Sequence, residues 1–155
     1  MANIVNKDGS KPAVPISEQT RLIEFVIELI KAMPEVSELP VNLNFVDASH
    51  DVICVRLSKD TYKIAEYVDG SYEAQLAFSV IYRRLHVTGI DERLAAIDLV
   101  NRIGSALEAI EVFDTGIDGV EVSCISQKES AGLLYRDSSG IEDNGASFIL
   151  RYDKN

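Results

Sequence analysis

A chain of 155 residues is long enough to bury one core and short for two. With 46% hydrophobic and 26% charged residues it has the composition of an ordinary globular domain, which excludes a disordered tail or a fibre. A formal charge of −10 argues against gripping nucleic acid, because phosphate binding needs clustered Lys and Arg and only short pairs such as Arg83-Arg84 occur.

Residues 2–16 mix Lys7, Asp8, Gly9, Ser10, Pro12 and Pro15 without periodicity and read as an irregular arm ahead of a single domain over 17–155. Pro15 and Ser17 announce a helix, with Ser17 as N-cap and Glu18 supplying negative charge to the first turn. Leu22, Ile23, Val26, Ile27 (or Phe25), Leu29, Ile30 and Met33 form its apolar stripe, and Pro34 ends it. The stripe is wider than one sheet contact needs, so either the helix is deeply buried or part of it meets another subunit.

From Pro40 the period changes to two. Val41, Leu43 and Phe45 alternate with Asn42 and Asn44, residues 47–51 supply turn formers, and residues 52–57 run back, which predicts a hairpin. Another strand is expected over 61–68, with Tyr62 and Ile64 on one face. The Asp69-Gly70 that follows signals a second hairpin, into a long strand over 72–85. There Tyr72, Ala74, Leu76, Phe78, Val80 and Tyr82 share a face. Four sequential antiparallel strands are the simplest topology.

A helix follows over 91–110, with Leu94, Ile97, Val100, Ile103 or Gly104, Leu107 and Ile110 inward and Glu92, Arg93, Asp98, Arg102 and Glu108 outward. Gly116 and Gly119 read as its stop and a loop. Val120, Val122 and Cys124 mark a short strand, residues 127–145 a long polar loop interrupted by Leu133-Leu134-Tyr135, and Ala146, Phe148, Leu150 and Tyr152 a last strand. No internal repeat or low-complexity linker is found. The fold class expected is α+β: an antiparallel sheet, a meander of about four strands plus C-terminal strands, packed against two main helices.

Cys54 and Cys124 sit in apolar alternating runs and read as buried thiols, able to join only if their strands are neighbours. No apolar run reaches membrane length, and residues 1–6 carry no basic segment or apolar h-region, so a cytoplasmic protein without membrane contact is expected. Asp47, His50 and Asp51, with Asp60 and Asp69 nearby in sequence, can hold a hard cation, but the same residues are what a turn requires, and the turn is the better reading. His86 reads as a surface residue at a strand end. Asp114, Asp118, Glu142 and Asp143 read as exposed acids at loop ends, and Tyr62, Tyr67, Tyr72 and Tyr82 as core aromatics. No Gly-x-Ser-x-Gly elbow or phosphate-binding loop is present. With no catalytic set, a non-enzymatic interaction domain without metal or cofactor is expected.

The order of elements, the strand Glu73-Ala74-Gln75-Leu76-Ala77-Phe78-Ser79-Val80-Ile81-Tyr82-Arg83, the helix Arg93-Leu94-Ala95-Ala96-Ile97-Asp98-Leu99-Val100-Asn101-Arg102-Ile103, and the close Asp143-Asn144-Gly145 with Phe148-Ile149-Leu150-Arg151-Tyr152 resemble the tail terminator (minor capsid) proteins of long-tailed bacteriophages. The resemblance covers residues 17–153. It implies a hexameric ring on the tail tube that stops tube growth and meets head-completion proteins, in a virion assembled in the host cytoplasm, without cofactor or turnover. Six such copies would carry 6 × −10 = −60, repelling DNA weakly at most because salt screens beyond ~8 Å. The expected assembly surface is Leu134, Tyr135 and Arg136, with Arg83 and Arg84, because exposed apolar and Arg side chains anchor interfaces. Two rivals stand beside this: an acidic secretion-type chaperone, disfavoured by the lack of a C-terminal helix, and a small metal-dependent hydrolase built on Asp47, His50 and Asp51.

Overall fold

The computed structural model describes residues 16–36, 38–44, 49–58 and 63–155. The expected arm up to Pro15, Phe45, Asp47 and the residues 59–62 with Asp60 and Tyr62 lie outside them, while Ile16, the arm's expected last residue, is helical. Among the described residues nine main elements follow one another: α1 (Ile16–Lys31), β1 (Val41–Leu43), β2 (Val52–Leu57), β3 (Lys63–Glu66), β4 (Tyr72–Arg84), α2 (Ile90–Glu108), β5 (Val120–Gln127), β6 (Gly132–Arg136) and β7 (Glu142–Lys154). A 3-10 turn, Pro34–Val36, closes the exit from α1.

The seven strands form one mixed sheet in the order β1-β2-β4-β7-β5, with β3 beside β4 and β6 beside β7. Its centre is the pair β4 and β7, thirteen residues each, antiparallel without a slip from Tyr72↔Lys154 to Arg84↔Glu142. Their alternation sends Tyr72, Ala74, Leu76, Phe78, Val80 and Tyr82 of β4, and Ala146, Phe148, Leu150 and Tyr152 of β7, into one core with both helices. Phe78 and Phe148 stack at the centre, their rings 5.3 Å apart.

The first expected hairpin does not form. β1 runs parallel to β2, Val41 opposite Ile53 and Leu43 opposite Val55. Asn44 is the reason visible in the backbone: it takes a left-handed φ of 56° directly after Leu43, while its N–H donates to the Val55 carbonyl and its Oδ1 accepts from Leu57 N. Asn tolerates that conformation through such local bonds. The sheet is therefore mixed, not antiparallel throughout, and β2 lies between a parallel β1 and an antiparallel β4, so the expected four-strand meander is not formed.

The structure contains the internal repeat that the sequence reading failed to find. β2 and β3 run one after the other along β4, and β5 and β6 run in the same manner along β7. The correspondence holds at a constant offset: 140 − 70, 148 − 78 and 128 − 58 all equal 70. Lys63↔Ala74, Ala65↔Glu73 and Glu66↔Tyr72 in one half match Leu133↔Asn144, Tyr135↔Asp143 and Arg136↔Glu142 in the other, each with the register slip at the same place. Ser58 N donates to Ala77 O as Lys128 N does to Ser147 O. Both tight turns close alike: Tyr67 N to Ser71 O and Gly70 N to Tyr67 O, against Asp137 N to Ile141 O and Gly140 N to Asp137 O. Gly70 and Gly140 stand at φ 90° and 93°, the glycine of a three-residue hairpin loop with a bulge. Only Val52/Val122, Cys54/Cys124, Gly70/Gly140, Phe78/Phe148 and Tyr82/Tyr152 are identical across 52–85 and 122–155, too few for the eye to catch. Each half is thus a helix followed by a broken strand, a tight turn and an unbroken strand; β1 is the addition peculiar to the first.

Three further expectations change. α1 begins at Ile16, placing Ser17 inside the helix, and the width of its stripe is consumed within the chain, since the Phe25 ring meets Phe113 edge-on at 6.4 Å and Leu22, Ile23, Val26, Ile27 and Ile30 are buried. α2 buries Ala96, Val100, Ile103, Gly104 and Leu107, leaving Leu94 exposed; it ends at Glu108 with Ala109 as C-cap, so Gly116 and Gly119 belong to the following loop. Cys54 is buried but Cys124 is exposed, and two strands, β4 and β7, separate theirs, which rules out a disulfide. No helix among the described residues is long and apolar enough to cross a membrane.

Candidate functional site

The expected loop over 127–145 is mostly strand. β5 continues to Gln127, β6 occupies Gly132–Arg136 and β7 starts at Glu142, so the polar residues Glu142, Asp143 and Asn144 are buried sheet residues instead of loop ends. What keeps the two carboxylates there is arginine. Arg83, directly opposite Asp143, donates Nε to Oδ1 at 2.7 Å and Nη2 to Oδ2 at 2.8 Å, a bidentate pair that fixes geometry as well as charge. Glu142, only 2% exposed, accepts from Arg93 Nε on α2 at 3.0 Å and from Arg136 Nε on β6 at 2.8 Å. Burial alone would raise the Glu142 carboxyl, but the bonds from Arg136 and Arg93 outweigh it and hold it below the usual carboxylate value.

All five residues expected at the assembly surface come to this corner, at the end of the sheet where β4 finishes and β7 begins. Leu134, Tyr135 and Arg136 lie on β6, an edge strand bonded only to β7. Leu134 is 60% exposed and Tyr135 47%. Leu134 is the residue at the register slip, and its Cδ1 approaches the position where a Cβ on Gly145 would sit, to 2.7 Å. The Arg83 guanidinium lies 5.8 Å from the centre of the Tyr135 ring. Arg84 turns aside: Nη1 donates to the Glu92 carbonyl at 3.2 Å, and Nε stands 4.0 Å from Asp51 Oδ2. Thus Leu134 and Tyr135 face outward while Arg83, Arg84 and Arg136 brace the corner. Residues that sequence reasoning missed are Arg93, assigned to the solvent side of α2, and the acids Glu142 and Asp143. Ile90 and Leu94, beside Arg93 on α2, are exposed but belong to the sheet face opposite Leu134 and Tyr135.

A second polar cluster ties the opposite end. Glu18 in the first turn of α1 is buried, accepting from Tyr72 Oη at 2.8 Å and from Tyr152 Oη, while Gln19 Nε2 donates to Tyr152 at 2.8 Å. Burial, then the bond to Glu18, raises the Tyr152 hydroxyl far above the usual phenol value. Tyr72 and Tyr82 are core residues as expected, whereas Tyr67 is exposed.

Of the suggested cation residues, Asp47 and Asp60 lie outside the described residues, and the described ones do not gather as a site. Asp51 Oδ1 accepts from Leu85 N at 2.8 Å, His50 Nδ1 lies 2.9 Å from Ser49 Oγ, and no three His, Cys, Asp or Glu among the described residues gather around one point. His86 is exposed at the end of β4, and Asp114 and Asp118 are exposed in the loop before β5. Beside α1 an open groove of about 370 Å³, lined by Arg21, Glu24, Phe25, Glu28 and Ile117, remains.

No protein-family model and no curated protein matches this sequence. Among solved structures, the fold is similar to that of a chain from the virion of a native gene transfer agent (GTA) particle. The two are 11% identical and superpose with a TM-score of 0.60, over 83% of this chain and 91% of the other. At that identity the likeness is one of fold.

Proposed function

We propose that this chain is a structural subunit of a phage-like virion and, within it, a tail terminator. Copies form a hexameric ring that caps the tail tube, stops its growth and offers the other face to head-completion proteins. The chain works by docking, without turnover, cofactor or specific binding of nucleic acid, in a virion assembled in the host cytoplasm. The observation that carries the reading is the fold shared with a chain of a gene transfer agent virion, which extends over 83% of this chain and 91% of the other. The corner formed by Leu134, Tyr135, Arg136, Arg83 and Arg84 supports it, since exposed apolar side chains braced by arginine suit an interface.

Light scattering with negative-stain imaging tests this. The expected outcome is a monomer of 17.1 kDa that converts, at high concentration or with tube protein added, to rings of 6 × 17.1 = 103 kDa. A stable dimer that captures an unrelated unfolded peptide overturns it in favour of the chaperone.

A further inference from the structure

The repeat supplies an internal control for reading the surface, because matched positions of the two halves face the same demands of the fold. Tyr67 and Val68 stand where the second turn has Asp137 and Ser138. That second turn is polar and closed on itself, Asp137 Oδ1 accepting from Ser139 N, Ser139 Oγ and Ile141 N. The first closes through the same backbone bonds, with Asp69 Oδ1 accepting from Ser71 N and Oγ, and leaves Tyr67 half-exposed and Val68 fully exposed. Closing the turn requires neither apolar side chain. The strand ends behind the two turns differ as well. On the sheet face away from the helices, Arg83 lies opposite Asp143 and the two form the bidentate pair. The matched pair at the other end is Asp153 opposite Glu73, and Glu121 of β5 adjoins Asp153. Three carboxylates thus stand side by side on neighbouring strands, ~5 Å apart at Cβ, and none has an ion pair among the described residues. Nearby cations are turned elsewhere: Lys63 pairs with Glu66, and Lys154 Nζ donates to the Asp118 carbonyl. Like charges directly opposite destabilise a sheet, and the other end shows that the fold can do without them.

Resting on the reading of a ring-forming virion subunit, we infer that the Tyr67-Val68 tip and the row of Glu73, Asp153 and Glu121 behind it are one docking surface. Its occupant is a different protein, one that presents an apolar socket rimmed by Lys or Arg. Charge selects that occupant. Glu66 and Asp69 flank the tip, both exposed, so acids surround the apolar side chains, and a basic rim brought against them relieves the repulsion within the row. A second copy offers no such rim at its arginine-rich end. There Arg83 is held by Asp143, Arg93 and Arg136 by Glu142, and Arg84 by the Glu92 carbonyl. With a net charge of −10, two copies also repel. The tip stands at the far end of the thirteen-residue strand pair from Leu134 and Tyr135, ~40 Å away at the usual rise per residue, so one contact leaves the other surface free.

The test is calorimetric titration of the chain with purified tube protein and, separately, with purified head-completion protein, beside light scattering for ring formation. Val68→Ser gives the first tip the residue of the second, and Asp153→Arg gives the row the arrangement of the other end, an arginine opposite an acid. The parent is expected to bind one of the two neighbours, more weakly as salt rises. Val68→Ser should weaken that binding about tenfold, the worth of one buried Val side chain, and Asp153→Arg by a similar factor while melting no lower than the parent. Rings should form unchanged in both. Folded variants that bind as the parent does, an affinity that salt leaves unaltered, or parent rings that bind neither neighbour overturn the docking surface and leave the ring-forming subunit standing. So does a thermal midpoint lowered by more than about 2 °C in both Asp153→Arg and Glu121→Gln, since the row would then serve the fold. Val68→Ser that stays monomeric where the parent forms rings overturns it too, because a second copy then occupies the tip. A parent that neither forms rings nor binds either neighbour overturns both.

Discussion

The first residue of each long strand reaches the first turns of the helix of its own half, but the two halves make the link with opposite chemistry. Tyr72 opens β4 and donates to Glu18 of α1; Glu142, its counterpart seventy residues on, opens β7 and accepts from Arg93 of α2. One root holds a single buried carboxylate among neutral hydroxyls. The other holds two carboxylates and the guanidinium groups of Arg83, Arg93 and Arg136. A repeated backbone therefore prescribes where a helix is anchored to the sheet and leaves open what anchors it. The same freedom gives one hairpin an apolar tip, Tyr67-Val68, and the other a polar one closed by Asp137 and Ser139.

Position 73 against position 143 gives the largest expected contrast. Asp143→Ala strips Arg83 of its bidentate partner at a site where both side chains are mostly buried, and breaking such a pair costs about 3 kcal/mol. Glu73, at the matched place in β4, is half-exposed, and Glu73→Ala should change stability by less than about 0.5 kcal/mol. Urea midpoints of the two variants measure the difference. Equal midpoints would break the claim that the second root depends on ion pairs.

Next in size is the anchor of α1. Glu18→Ala leaves the buried hydroxyls of Tyr72 and Tyr152 without their acceptor and should cost about 2 kcal/mol, read from the same denaturation curves. The two roots also predict opposite failures with pH. Tyr152 is raised in the folded state, so above the ordinary phenol range, ~10, the unfolded chain loses its proton first and stability falls as pH rises. Glu142 is lowered in the folded state, so its contribution is complete above the unfolded carboxylate value, ~4.3, and is lost as pH falls through the folded one. Tyr152→Phe should flatten the alkaline limb of a midpoint-against-pH curve, and Glu142→Gln the acid limb. A variant that flattens both would show the roots to be one coupled network.

The sequence displays the first root's scaffold well and the second's poorly, for a physical reason. The alternation of Tyr72, Ala74, Leu76, Phe78, Val80 and Tyr82 is apolar and local, as are the α1 stripe and the Asp69-Gly70 turn, and all are legible without partners. Glu142-Asp143-Asn144-Gly145 has the composition of a loop, and it becomes strand because Arg83, Arg93 and Arg136, as far as sixty positions away, neutralise it. Local pattern carries no trace of that. The rotation of α2 is lost with it, since placing Arg93 over Glu142 turns Leu94 outward. One signal was available: Gly70, Phe78 and Tyr82 recur as Gly140, Phe148 and Tyr152 with unchanged spacing, and aligning them would have matched Glu142-Asp143-Asn144-Gly145 with the strand residues Tyr72-Glu73-Ala74-Gln75.

The smallest expected contrast lies in the two turns, and it asks whether equal backbones bear equal strain. Gly70 and Gly140 share nearly the same positive φ, so an added Cβ carries a similar conformational penalty at each, about 1 kcal/mol. Their surroundings differ. A Cβ at Gly70 meets nothing within 4 Å, while one at Gly140 falls 3.3 Å from His86 Cα and 3.4 Å from Val87 N, on backbone held by the 2.9 Å bond from Val87 N to the Gly140 carbonyl. Backbone yields less readily than a side-chain end, so Gly140→Ala should cost more than Gly70→Ala by about 1 kcal/mol. Thermal midpoints of the two variants decide it. The reverse order would mean that the first turn is the more constrained in solution.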